Sequence, residues 1–185
     1  MKSFLHLIIG PMFAGKSSEL IRRIRRFQVA GSRVLLVNHL LDDRYTEGGF
    51  VVTHDHIKMP AVSTNDLSSI DVSNVDCIGI DEGQFFQNIV PMVLMWLQQH
   101  AITIIIAALD GTFEQKPFGQ LLELIPHADK VKKMSAVCRV CNADAAFTHR
   151  LSNTSNTIEI GGADQYQPLC RHCLLKNFNV DRLNL

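Results

Sequence analysis

The chain has 185 residues, 46% hydrophobic and 19% charged, which suits one globular core with a small appendage. Lys and Arg total 18, as do Asp and Glu, so no basic field marks nucleic acid as the main partner. No apolar run approaches the ~20 residues of a membrane span, and the N-terminus runs directly into a strand pattern, leaving no room for a signal peptide. Five cysteines without a secretory signal fit a reducing, cytoplasmic setting in which thiols serve as ligands.

In chain order, Phe4–Ile9 (FLHLII) reads as a strand and Lys16–Ala30 as a helix ended by Gly31. The basic run Arg22–Arg26 (RRIRR) lies on that helix and reads as a solvated face, with Glu19 spaced to pair with Arg22 and Arg23. Arg33–Asn38 is the next strand. The segment LLDDRYTEGGFVVTHDHIKMP, 40–60, carries many turn residues and reads as a long loop. Asn65–Ser69 is a short helix, Asp76–Glu82 (DCIGIDE) a buried strand ending in acids, and Asn88–His100 a helix with Pro91 in its first turn. Ile102–Leu109 (ITIIIAAL) is a continuous β-branched run, as in a strand buried on both faces. Val131–Val137 is a further strand. Strands separated by helices indicate an α/β fold, a parallel sheet covered by helices on both faces. From Ser135 onward the periodicity weakens and cysteines appear, which divides the chain into a phosphate-loop domain, 1–134, and a cysteine-bearing domain, 135–185.

GPMFAGKS, Gly10 to Ser17, matches G-x-x-x-x-G-K-S between a strand and a helix. In that context backbone N–H groups and the helix N-terminus cradle phosphate oxygens. Lys16 would reach the β- and γ-phosphates and Ser17 would hold Mg²⁺. CIGIDEGQFF supplies the second half of such a site. Asp81, at the C-terminal end of a buried strand, would join the Mg²⁺ shell. Neighbouring residues of an extended chain point opposite ways, so Glu82 is free to take a proton from an attacking water or substrate hydroxyl.

Cys138-x-x-Cys141 and Cys170-x-x-Cys173 have the spacing of a four-thiolate zinc site. Four protein ligands leave no position for water, so the zinc is structural. Cys77 lies in the buried strand and reads as a small core side chain. Between the pairs, Thr157–Tyr166 (TIEIGGADQY) offers a short strand, two glycines and an aromatic; anchored at Cys170, it could fold over the nucleotide site. On residues alone three readings stand. The chain could phosphorylate a small molecule, hydrolyse nucleotide as a recombinase- or helicase-like ATPase with a zinc ribbon, or act as a nucleotide switch.

GPMFAGKS, DDRY followed by THD, IDEGQFF, AALDGTF with KPFG, AVCRVC and IGGADQYQPLCRHC occur in an order that resembles the cytosolic, zinc-containing (type II) thymidine kinases over nearly the whole chain. The resemblance implies a RecA-like phosphate-loop sheet with a zinc-ribbon and lasso domain. It implies transfer of the ATP γ-phosphoryl group to the 5′-hydroxyl of thymidine, giving dTMP for DNA synthesis, with Glu82 as catalytic base. ATP and Mg²⁺ would meet Gly10, Pro11, Met12, Phe13, Ala14, Gly15, Lys16, Ser17, Asp42, Asp43, Arg44, Asp81 and Gln84. Thymidine would meet Met12, Phe85, Leu109, Phe113, Phe118 and Tyr166, with the lasso Thr157, Ile158, Glu159, Ile160, Gly161 and Gly162 reading the base edge. Structural Zn²⁺ on Cys138, Cys141, Cys170 and Cys173 would anchor the lasso. The resemblance further implies a cytoplasmic homotetramer inhibited by thymidine triphosphate, with no nucleic-acid or membrane partner. Ala14 stands where Ser is frequent in the family, and Gln165 where Lys is frequent.

Overall fold

The computed structural model describes residues 2–41, 50–52, 58–151 and 161–176. In chain order its elements are β1 (Phe4–Gly10), α1 (Lys16–Val29), β2 (Val34–His39), β3 (Phe50–Val52), β4 (Lys58–Pro60), β5 (Val62–Thr64), β6 (Cys77–Ile80) and α2 (Ile89–Gln99). There follow β7 (Thr103–Leu109), β8 (Lys130–Lys133), β9 (Ala136–Val137), β10 (Asp144–Ala145), β11 (Phe147–Arg150) and β12 (Tyr166–Leu169). Short 3₁₀ turns span Leu67–Ser69, Gly83–Phe85 and Leu121–His127.

Six strands form one parallel sheet in the order β5-β2-β6-β7-β1-β8. Parallel neighbours need crossovers, and helices supply the covering on both faces. Strand alternation sends Leu5, Leu7 and Ile9 of β1 into one apolar layer with Ile89, Val93 and Trp96 of α2, all essentially buried. Ile8 lies on the opposite face with Leu20, Ile21 and Ile24 of α1. The α2 spacing of four and then three residues puts its buried side chains on one helical face. Each fully buried Val, Leu or Ile contributes about 1.5–3 kcal/mol. The two layers therefore hold the sheet rigid beneath the loops at its C-terminal edge.

Glu19 ties α1 to the sheet. It accepts hydrogen bonds from Arg22 Nε at 2.7 Å, Arg23 Nε at 3.0 Å and Lys132 Nζ of β8 at 3.1 Å. Arg22 chiefly, then Lys132 and Arg23, hold its carboxyl at about 2 against the opposing effect of burial. The Arg22 and Arg23 pairing expected from spacing is present.

Three local expectations need correction. Val131–Val137 is not one strand. β8 stops at Lys133, Met134 N donates to the Ile9 carbonyl at 2.8 Å, and β9 then pairs antiparallel with β10 in a separate small sheet. The reason is that β1 ends at Gly10, where the phosphate loop departs, so no neighbour remains for β8 to follow. Exposed Lys130, Lys132 and Lys133 lie on that edge strand, where charge discourages further pairing. The segment 40–60 is also not wholly loop: β3 and β4 pair antiparallel, and Val51 and Met59 are buried with the α1 side of the core. Finally, β11 and β12 form an antiparallel pair that the weak periodicity beyond Ser135 did not reveal. The strand expected at the start of Thr157–Tyr166 lies outside the described residues.

Candidate active site

The segment Gly10–Ser17 links the C-terminal end of β1 to the N-terminus of α1. Its turns demand glycine. Gly15 caps α1 at φ 74°, in the left-handed region. Gly10 has φ 148° and lies so close to Met134 that a Cβ would stand 2.5 Å from that residue's carbonyl oxygen. Lys16 Nζ donates to the Pro11 carbonyl at 2.7 Å, which holds the ammonium across its own loop. Met12 N donates to Thr148 Oγ1 of β11 at 3.0 Å, fastening the loop to the cysteine-bearing part of the chain. The helix dipole, the lysine and the loop backbone together make an electropositive cradle suited to phosphate.

Beside it stands the acidic end of β6. Ser17 Oγ donates to Asp81 Oδ1 at 3.1 Å, joining residues that are far apart in the chain but adjacent through the β1–β7–β6 order. Asp81 is buried, and its N–H donates to the Val37 carbonyl at 2.8 Å. A serine hydroxyl and a carboxylate are the hard oxygen donors that Mg²⁺ prefers. The strand ends at Ile80, so the alternation of an extended chain does not extend to Glu82. Glu82 instead takes φ 52° and ψ 40°, left-handed for a residue with a Cβ. Its N–H donates to Asp81 Oδ1 at 3.1 Å, and its Oε2 accepts from Gln84 Nε2 at 2.6 Å. Backbone strain at such a position concentrates at functional sites.

The residues expected to wall a base fall into two linked groups. Phe85 and Phe118 meet edge to face with centroids 5.6 Å apart, and Phe85 also lies 5.6 Å from His39. Burial pushes the His39 imidazole down, with the Glu82 charge acting the other way, and its Nδ1 accepts from Leu41 N at 3.1 Å. Phe113 and Tyr166 both face the buried Arg150, whose guanidinium carbon is 3.9 Å from the Phe113 centroid and 5.9 Å from that of Tyr166. Leu109, at the end of β7, donates its N–H to Gln84 Oε1 at 3.0 Å. Gly162, ahead of β12, accepts at its carbonyl from Gln165 N at 3.2 Å and Tyr166 N at 3.0 Å. Asp42, Asp43, Arg44 and Thr157–Ile160 lie outside the described residues. Thr148 and Arg150 escaped the sequence reading. They sit on a strand too short for its alternation to announce, and only the pairing of β11 with β12 brings them to the site.

The sulfurs of Cys138, Cys141, Cys170 and Cys173 all lie within 4.8 Å of one another, and none is in a disulfide. Cys141 Sγ and Cys170 Sγ are 3.6 Å apart. Tetrahedral zinc with bonds of about 2.3 Å places its sulfurs about 3.8 Å apart, so the donor set fits the ion in chemistry and in size. Cys138 N donates to the Ala143 carbonyl at 2.8 Å, and Cys173 N to Cys170 Sγ at 3.5 Å, the tight turns that x₂ spacing requires. Cys77 is buried in β6, away from this cluster, and burial chiefly pushes its thiol up to about 12.

The family model described as thymidine kinase matches residues 3–174. Among curated relatives, thymidine kinase of Yaba monkey tumor virus is 45% identical over 175 residues, covering 94% of this chain and 95% of the relative. That of Myxoma virus (strain Uriarra) is 48% identical over 171 residues, covering 91% and 94%. The Homo sapiens protein named "Thymidine kinase, cytosolic" is 45% identical over 175 residues, covering 93% of this chain and 73% of its own length.

Proposed function

This chain belongs to the thymidine kinase family, and from that premise we propose how its own residues carry the phosphoryl group from ATP to the 5′-hydroxyl of thymidine. The single observation that carries the assignment is the Ser17–Asp81 contact beside Glu82: a phosphate loop, oxygen ligands and a separate carboxylate at one strand end. Gly10–Ser17 cradles the ATP phosphates, with Lys16 swinging from the Pro11 carbonyl to the β- and γ-oxygens. Ser17 and Asp81 hold Mg²⁺, which when bound neutralises the charge on those oxygens. Glu82 accepts the proton of the 5′-hydroxyl as that oxygen attacks the γ-phosphorus and ADP leaves.

The thymine base lies between the Phe85–Phe118 pair and the Phe113–Tyr166 pair, with Met12 and Leu109 completing the wall. Backbone groups of Thr157–Gly162 read its edge, anchored by structural zinc on the four cysteines. Asp42, Asp43 and Arg44 meet ATP from the segment after β2. The division into a phosphate-loop domain, 1–134, and a lasso domain, 135–185, follows these roles. The family resemblance also supports a homotetramer with thymidine triphosphate as feedback inhibitor, and the name of the human relative supports a cytoplasmic setting.

The test is ATP turnover with thymidine, with single-stranded DNA and with neither, in wild type and Glu82→Gln. Thymidine alone should drive ADP release. Glu82→Gln should lower kcat by ~10²–10⁴-fold with thymidine affinity nearly intact. Wild-type turnover in that variant would show that the hydroxyl is activated by another group.

A further inference from the structure

We propose that Gln84 is a positioning residue for this reaction, a strut that holds the Glu82 carboxylate against the end of β7. The proposal rests on the reading of Glu82 as the base. It also differs from the nucleotide contact that family resemblance implies for this position. Gln84 is 2% exposed, and both ends of its amide are engaged inside the protein. Its Oε1 accepts from Leu109 N at 3.0 Å, and its Nε2 donates to Glu82 Oε2 at 2.6 Å. The amide cannot be turned over without loss. A backbone N–H only donates and a carboxylate only accepts, so the oxygen must face Leu109 and the nitrogen Glu82.

The backbone of the strut is as confined as its side chain. Gly119 approaches the Gln84 carbonyl too closely for a Cβ, and Gly83, one residue earlier, lies against Ile106 and Ile89. Phe118, beside Gly119, packs edge to face on Phe85, beside Gln84. The turn 83–85 is thus pinned to the buried central strand, and Gln84 transmits that rigidity to a left-handed Glu82 that packing alone would hold poorly. The residue type fits the task. A neutral amide orients a carboxylate through a hydrogen bond without placing a charge beside it. A Lys or Arg in its place would stabilise the charged form and weaken the base.

The test compares the full chain as wild type, Glu82→Gln, Gln84→Met, Gln84→Glu, and each Gln84 variant combined with Glu82→Gln. Kinetics are read for thymidine and ATP, and folding is checked by thermal melt. Gln84→Met keeps the volume and removes both hydrogen bonds. Gln84→Glu keeps the shape and the acceptor for Leu109 N, but turns an oxygen toward Glu82. Either change should lower kcat about 10–100-fold, as expected for displacing a reacting group by a fraction of an ångström to 1 Å, while both KM values change by less than about threefold. In the Glu82→Gln background the same changes should cost less than about twofold, because a strut has no effect once the base is gone. Unchanged kcat in either single variant overturns the proposal. So does an equal loss in both backgrounds, which would show Gln84 acting on the nucleotide or metal directly. Wild-type turnover in Glu82→Gln alone overturns the base assignment and the strut with it, and is recognised without reference to the Gln84 data.

Discussion

Gly83 separates the Asp81–Glu82 pair from Gln84, and replacing it with alanine tests whether packing beneath the site sets the rate above it. A Cβ at residue 83 would lie 2.6 Å from Ile106 Cγ2 and 3.1 Å from Ile89 Cδ1. Carbon contacts are optimal near 3.5–4.0 Å, so one side must withdraw by about 1 Å. Ile106 cannot easily be that side, because β7 is central, Ile106 itself pairs with Leu7 of β1 and Ile80 of β6, and its side chain is fully buried in the α2-side layer. The turn should move instead, and Glu82 with it. Overpacking of this kind costs ~1–3 kcal/mol, and in a domain of this size each kcal/mol lowers Tm by about 2–4 °C. A reacting group displaced by about 1 Å loses roughly 10²-fold in rate. Gly83→Ala should therefore melt a few degrees lower and turn over thymidine about 10²-fold more slowly, yet bind ATP nearly as wild type, since the phosphate loop is built on β1 and α1. Circular dichroism melts and an ADP-release assay with saturating thymidine read the two effects. A lowered Tm with kcat within twofold of wild type would refute the reasoning, because the turn would have absorbed the methyl without disturbing Glu82.

Metal analysis should find one zinc per chain, and Cys170→Ser should weaken thymidine binding more than ATP binding, because in the proposed reading the cysteines anchor the base-reading lasso, whereas the phosphate loop, though it meets this part of the chain at Thr148, is built on β1 and α1; zinc-free protein with full activity would contradict this. Glu19 and Asp76 are each held at about 2, Glu19 chiefly by Arg22 and Asp76 by Arg33. Their folded values lie below the unfolded ones, so their stabilisation is complete above about pH 4.5 and is lost as pH falls toward 2. Urea titrations of Glu19→Gln should show a shallower fall in stability across that window than wild type, with Asp76 maintaining the residual slope; identical slopes would show that the ion pairs at α1 carry no net weight. Deoxyuridine should be used moderately, since a missing methyl is worth only ~1–3 kcal/mol, and deoxycytidine hardly at all, since its edge leaves lasso backbone groups unpaired. Comparable kcat/KM for deoxycytidine would exclude backbone reading of the base.

Much of this protein was legible along the chain because the relevant signals are local. A strand, six loop residues with glycine at both ends, then Lys, Ser and a helix are contiguous, so GPMFAGKS declared a phosphate loop before any fold was known. The β-branched run at 102–109 declared a strand covered on both faces, and two x₂ cysteine pairs declared the cluster that their sulfurs form. Boundaries of α1 and α2 lay within a residue or so of expectation for the same reason. What local signals could not specify was adjacency. The order β5-β2-β6-β7-β1-β8 brings Ser17 to Asp81, and the pairing of β11 with β12 brings Thr148 to Met12 and Arg150 to Phe113 and Tyr166. Periodicity tells which face of a strand is buried, not which strand lies beside it. The break after Lys133 shows the same limit: VKKMSAV reads as one extended run, yet β8 must stop where β1 turns away into the phosphate loop, since a strand persists only as far as its partner. Glu82 is the sharpest case. Its identity as a candidate base followed from its place after Asp81. Its left-handed backbone, and the amide of Gln84 that meets its carboxylate, arise only when the turn is pressed between β7 and Gly119, a constraint imposed by packing across the fold.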